Sequence, residues 1–169
     1  YGAGIMRLRR VFTVVDSHTA GHPTRVVMDG IPPLPGDSVL DKRDHFIRSH
    51  DDLRPLLLHE PRGHAAMVMA VPVGSRIAPF GVFFVSSYVY LEMCGHGTIG
   101  YVATLVATGA VPPENGKTLE IETPAGIVRA SMQVIDDELV AVRLRNVPCR
   151  VGLQDREVIG ECGSPICFD

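Results

Sequence analysis

Apolar residues recur along this chain in three rhythms, and each predicts a different kind of element. Strict alternation marks Thr118 to Thr123, then Ile127 to Val134, then Leu139 to Arg145. A period of two turns every second side chain to one face. These are therefore half-buried strands, joined by turns at Pro124-Ala125-Gly126 and Asp136-Asp137-Glu138. Near-continuous apolar runs of strand length, Ala65 to Val73 and Gly81 to Val85, predict strands covered on both faces. Val11 to Asp16 and Thr24 to Asp29, rich in β-branched residues, predict a first hairpin. Its wide polar loop, Ser17 to Pro23, carries His18 and His22 at the tip.

Helical periodicity appears twice. Asp41 to His50 sets Phe46 and Ile47 among charges, and the pattern continues through Asp51 to His59, with Pro55 kinking or restarting it. Ile99 to Thr108 is apolar almost all round, which predicts a helix running through the core, stopped by Gly109 and by Pro112-Pro113. Gly30 to Gly36, interrupted by Pro32, Pro33 and Pro35, predicts an irregular connector, and beyond Val147 periodicity is weak.

Between a buried strand and this core helix stands Met93-Cys94-Gly95-His96-Gly97-Thr98-Ile99-Gly100. The cysteine is expected at a strand-to-helix turn, in the first turn of the helix. Main-chain N–H groups lack intrahelical partners there, and the macrodipole is positive. Gly95 and Gly97 carry no Cβ, so consecutive amides can approach and cradle a carboxylate, while the same field favours the thiolate of Cys94. Taken alone, Cys94 also fits an inert buried cysteine beside a tight turn. The flanking glycines, His96 and the helix start favour a thiol acting as base or nucleophile. A carboxylate cradle beside an ionisable thiol points to proton transfer at the α-carbon of an amino acid. His18 and His22 fit solvated loop residues equally well. Arg62 and His64 precede a buried strand, where they either cap the sheet or face a ligand; Arg62 reads as structural.

Composition narrows the classes. A chain of 169 residues with 46% hydrophobic positions suits one globular domain. The net charge of −3 comes from interleaved signs without a basic stripe, which argues against nucleic acid as a partner. No apolar run approaches the ~20 residues of a membrane span, and Tyr1 to Arg10 lacks a signal-like apolar segment. A cytoplasmic protein is expected, with residues 1–10 an N-terminal extension or cloning remnant and 11–169 the folded domain. The cysteines Cys94, Cys149, Cys162 and Cys167 are expected to be reduced. Zinc held by Cys162, Cys167, Cys94 and His96 is disfavoured by their spacing, so no metal is expected.

Asp16 to Arg25 (Asp-Ser-His-Thr-Ala-Gly-His-Pro-Thr-Arg), Pro61-Arg62-Gly63-His64 and the eight-residue cysteine motif, taken together, resemble the proline racemase family, which includes 4-hydroxyproline epimerases and 3-hydroxyproline dehydratases. The resemblance runs from about Val11 onward. It implies an α+β fold like that of diaminopimelate epimerase: two pseudo-symmetric halves, each a curved, mostly antiparallel sheet wrapped around a central helix. It also implies a cleft between the halves, no pyridoxal phosphate and no metal. Two cysteines, one per half, face opposite sides of the substrate α-carbon. Cys94 matches the first catalytic cysteine, Gly95, His96 and Gly97 the residues whose amides hold the carboxylate, and His96 the side chain near the ring nitrogen. His18 and His64, in the other two matching stretches, are taken as substrate-binding.

Only the first half is matched. The family's second cysteine lies in a Ser-Pro-Cys-Gly-type motif expected well beyond Asp169, and Gly163-Ser164-Pro165-Ile166-Cys167 puts isoleucine in its place. Val89 stands where glycine commonly precedes the tyrosine, and Ser86 and Ser87 where asparagine is common. The expected function is a proline or 4-hydroxyproline racemase or epimerase, inactive as an isolated half. Alternatives are a trans-3-hydroxy-L-proline dehydratase pairing cysteine with threonine, and a non-catalytic half that self-associates. Expected partners are a small-molecule substrate and either the second half or a second copy of the chain, as a homo-oligomer.

Overall fold

A curved mixed sheet carries the other elements. The computed structural model describes residues 10–149, 157–159 and 165–167. The strands are β1 (Thr13–Thr19), β2 (His22–Asp29), β3 (Val68–Val73), β4 (Phe80–Ser86), β5 (Tyr90–Leu91), β6 (Thr118–Thr123), β7 (Gly126–Ile135) and β8 (Glu138–Arg145). Their order is β1-β2-β3-β4-β6-β7-β8, with β5 paired to β4 off the main path. Only the β2–β3 and β4–β6 pairings are parallel; the rest of this sheet is antiparallel. A small ladder, β9 (Glu157–Ile159) with β10 (Pro165–Cys167), stands apart.

Both faces of the central strands are covered, and the period of two decides what each residue touches. Val26, Val68, Ala70, Val82 and Phe84 join one core with Tyr101, Val102 and Leu105 of α3 (Gly95–Ala107). Their neighbours Val27, Met69, Val71, Phe83 and Val85 face the other way. They pack with Phe46 of α1 (Val39–His50) and with Leu53, Leu57 and Leu58 of α2 (Leu53–Leu58). Continuous apolar sequence is thus required where the sheet is sandwiched. Toward β8 the outer face is open to solvent and the sequence alternates.

The first hairpin is tighter than its sequence suggests. Instead of a wide loop, only Ala20 and Gly21 separate β1 from β2, with φ of +49° and +88°. Two left-handed residues in succession match the twist of the flanking strands, so pairing continues through Ser17↔Thr24, His18↔Pro23 and Thr19↔His22. The helical region likewise resolves into two helices. Ser38 caps α1 in a reciprocal box with Asp41, starting it two residues before the periodicity does, and Pro55 falls in the first turn of α2. β3 begins at Val68, because Ala65 and Ala66 belong to an exposed turn in which Met67 N–H reaches His64 O.

Glu122 departs most from the alternating pattern. It occupies a polar position of β6, yet only 5% of it is exposed. Its carboxylate accepts from the Val39 amide at 3.0 Å and from the Ser75 hydroxyl. The start of α1 leaves N–H groups without intrahelical partners, and a strand 83 residues away supplies the acceptor. At the other end of the molecule's core helix, the sequence stop is realised as expected: Gly109, at φ +74°, returns its amide to Val106 O. The expected extension at 1–10 lies outside the described residues except for Arg10. Cys162 also lies outside them, and of Cys167 only the backbone is described.

Candidate functional site

The wall around Cys94 is assembled from the start of α3 and the tip of the first hairpin. Cys94 is the N-cap residue, in extended conformation (φ −141°, ψ 113°), one position before the first helical turn in which it was expected. The first intrahelical bond runs from Thr98 N–H to Cys94 O at 2.9 Å, and the Thr98 hydroxyl adds a second to the same oxygen at 2.7 Å. The amides of Gly95, His96 and Gly97 are therefore not used within the helix. The Cys94 side chain makes no cap hydrogen bond to them.

Burial alters the expected acidity. Cys94 is 8% exposed, and the loss of solvent pushes its thiol pKa up; the Gly97 amide only partly offsets this. The expectation of a depressed pKa is thus corrected for this chain on its own. The helix start favours the thiolate, but desolvation outweighs it, and the sulfur rests as a thiol.

His96 turns Nδ1 to within 3.4 Å of the sulfur. Its ring stacks on that of His22, with centroids 3.7 Å apart and planes at 13°. Burial and the proximity of His22 both lower the His96 pKa, so its imidazole is neutral at pH 7. The Thr19 hydroxyl donates to His96 O at 3.3 Å. Thr19 and His22 are register partners, so both contacts follow from the two-residue turn between them.

Glycine geometry separates structural from open positions. A Cβ on Gly97 would lie 2.9 Å from Phe84 Cδ1 and 3.2 Å from Cys94 Sγ, and one on Gly100 would lie 2.9 Å from Thr24 Cβ. Both glycines let the helix sit against the sheet. At Gly95 the nearest atom beyond its chain neighbours is Leu144 Cδ1 at 3.9 Å, so a Cβ there meets only ordinary contact.

The strand end that delivers Cys94 is tied to the helical layer behind it. Arg43 donates to Glu92 at 2.6 Å, and Ala125 N–H to Glu92 O at 3.2 Å. Arg54 makes a bidentate pair with Asp51, both bonds at 2.9 Å, and reaches Ser87 O at 2.7 Å, while the Tyr90 hydroxyl also donates to Asp51. These partners hold the Asp51 carboxyl at a pKa of about 2, and burial together with Asp51 pushes the Tyr90 hydroxyl up.

Of the residues singled out from sequence, Cys94, Gly95, His96 and Gly97 stand together. His18 does not join them: it is exposed, and its Nδ1 accepts from Gly21 N–H at 3.2 Å. His64 is also exposed, lining a separate groove with Ser87 and Tyr88. Arg62 bonds Leu56 O and offers its own carbonyl to Arg25, a structural role. His22, which fits a solvated loop residue as well as a functional one by sequence, was not taken as substrate-binding with His18. A two-residue turn at Ala20-Gly21 was the one available signal, since it would have set His22 opposite Thr19.

A curved sheet packed against a central helix is also found in known proteins. The hydroxyproline epimerase of Agrobacterium vitis, solved with bound trans-4-hydroxy-L-proline, superposes with a TM-score of 0.86 at 26% identity, covering 97% of this chain and 49% of that one. The family model for proline racemase matches residues 14–164. The chain belongs to the proline racemase family. The 4-hydroxyproline 2-epimerase of Streptosporangium roseum is 44% identical over 156 residues, 90% of this chain and 47% of the relative. The proline racemase of Acetoanaerobium sticklandii is 35% identical over 168 residues, 97% and 50% respectively. The chain spans about half the length of the curated relatives it matches. Among the described residues no helix is long and apolar enough to cross a membrane.

Proposed function

We propose that this chain forms one wall of the substrate cleft of a cofactor-independent racemase or epimerase acting on proline or 4-hydroxyproline. The observation that carries this is the sulfur of Cys94 at the N-cap of the core helix, beside the unused amides of Gly95 and His96. Those amides bind the substrate carboxylate, which sets the α-carbon against the sulfur. Cys94 is the acid/base group for one face of that carbon. As a thiol it delivers a proton to a carbanion generated from the opposite face; as a thiolate it removes the α-proton in the reverse direction. Burial suits the first role in the resting chain, because a proton donor must arrive protonated. His96 lies beside the ring nitrogen. His18 and His64, which make no hydrogen bond to Cys94 or His96 among the described residues, are assigned no step.

The second acid/base group belongs to a second domain of comparable size, supplied by the part of the relatives that this chain does not span. The resemblance to relatives named for acting on proline and on 4-hydroxyproline supports the substrate class. Proton exchange at the α-carbon tests the two-wall arrangement. Followed by NMR in D2O with L-proline and trans-4-hydroxy-L-proline, the 169-residue chain alone is expected to give little or no racemisation, and the full-length protein is expected to invert and exchange one of them. Robust two-way exchange by the 169 residues alone contradicts the need for a second wall.

A further inference from the structure

We infer that His22 is a positioning residue for the Cys94 site: its ring, stacked on His96, holds the His96 imidazole with Nδ1 against the sulfur as the acceptor for the thiol proton. This rests on Cys94 being the acid/base group of the proposed cleft.

The need for such an acceptor follows from burial. A sulfur that rests as a thiol becomes a base only by giving up its proton, and Nδ1 of His96 stands 3.4 Å away. The proton passes from Sγ to Nδ1, leaving a thiolate and an imidazolium; no other group gains or loses charge. For this, His96 must be neutral beforehand and its ring must face the right way, because an imidazole turned about its side-chain bonds presents carbon instead of nitrogen.

The hairpin tip meets both conditions. Thr19 grips the main chain of residue 96 and His22 covers its ring, two contacts from register partners across a two-residue turn. Stacked rings 3.7 Å apart cannot both carry a charge without mutual repulsion, so His22 also disfavours early protonation of His96. The surroundings add few competing charges. β1 presents Thr19 to the stack, with His18 turned to the Gly21 amide. β8 brings Leu144 to the helix start and leaves Arg143 and Arg145 exposed, and Arg25 of β2 is paired with Asp16. α3 itself contributes no acidic or basic residue to its first turn besides His96. Because His22 is exposed, replacing it does not disturb the core.

The test reads thiol chemistry and therefore does not depend on turnover. His22→Ala and His22→Phe are compared with the parent chain by the pH dependence of Cys94 alkylation with iodoacetamide and by NMR titration of His96, with the amide spectrum as the check on folding. Mutation of Cys149, Cys162 and Cys167 to serine in all three proteins confines alkylation to Cys94. With His22→Ala, the ring of His96 is released and alkylation at neutral pH is expected to fall about fivefold, the equivalent of an oriented hydrogen bond of about 1 kcal/mol. His22→Phe restores the stack without the charge. It is expected to recover most of the rate, to move the His96 titration to higher pH and to shift the acid limb of the alkylation profile with it. Unchanged alkylation in both variants, or an unchanged His96 titration in His22→Phe, overturns the inference and leaves the role of Cys94 standing. An amide spectrum that has collapsed in His22→Ala also counts against it, since the residue would then be holding the fold.

Discussion

Three glycines in the first six positions of α3 differ sharply in what surrounds them, and alanine at each separates folding from function. At Gly97 an added methyl lies 2.9 Å from the ring of Phe84, which is fully buried, and 3.2 Å from the Cys94 sulfur. The fully buried Phe84 ring cannot retreat freely, and overpacking of this kind costs about 1–3 kcal/mol. Alanine returns at most about 1 kcal/mol in helix propensity, less in a first turn, so a net loss of about 1 kcal/mol is expected. At Gly100 the obstacle is Thr24, 0% exposed and β-branched, with Cβ, Cγ2 and Oγ1 all 2.9–3.0 Å from the added carbon. A stiff side chain yields less easily, and a loss of about 1–2 kcal/mol is expected. At Gly95 the nearest atom is 3.9 Å away, ordinary contact, and Gly95→Ala is expected to leave stability unchanged or raise it by about 0.5 kcal/mol. Urea unfolding of the three variants measures the order. The same Gly95→Ala change adds a methyl to the proposed carboxylate cradle, so in the full-length enzyme it is expected to raise KM without loss of fold. If Gly97→Ala and Gly100→Ala are as stable as Gly95→Ala, the close approach of helix to sheet is not what these glycines provide.

Further expectations concern the supports of the site. The folded pKa of Asp51 lies below its unfolded value, so its ion pair contributes fully above about pH 4 and is lost as pH falls toward about 2. With the Asp51 side chain 42% exposed, screening reduces the contribution to about 1 kcal/mol; Asp51→Asn is expected to remove it at pH 7 and to flatten the fall in stability between pH 4 and pH 2, read by urea unfolding. Tyr90→Phe removes a half-buried hydroxyl bonded to the same carboxylate and is expected to cost about 1 kcal/mol. Glu122→Leu leaves the Val39 amide without an acceptor and is expected to cost about 1–3 kcal/mol, seen as a lower urea midpoint; a midpoint equal to the parent's removes Glu122 as the anchor of α1.

Much of this arrangement was legible because local pattern and tertiary demand agree. The run from Gly81 to Val85 is apolar without interruption because α3 lies on one side of β4 and α1 and α2 on the other. The Ile127–Val134 and Leu139–Arg145 segments alternate because their outer face meets water. The cysteine motif was legible as a helix start because glycines and a core helix follow it. What stayed hidden depends on partners remote in sequence. Glu122 looked like a solvated strand position until the amide of Val39 was seen opposite it. His22 looked like a loop tip because Ser17 to Pro23 is dense in turn formers, whereas only Ala20 and Gly21 leave the strands. The acidity of Cys94 was misjudged for the same reason: the helix start is visible in sequence, while the hydrocarbon packed around the sulfur is not.

The central claim is that the Cys94 sulfur carries the proton to and from one face of the substrate α-carbon. It is tested most directly by α-proton exchange in D2O, with both enantiomers of proline and both C2 epimers of 4-hydroxyproline, comparing full-length protein with its Cys94→Ser variant. With an oxygen in place of the sulfur, inversion of every substrate is expected to fall to background while the amide spectrum stays native. A Cys94→Ser enzyme that still inverts its substrate at the parent rate contradicts the account.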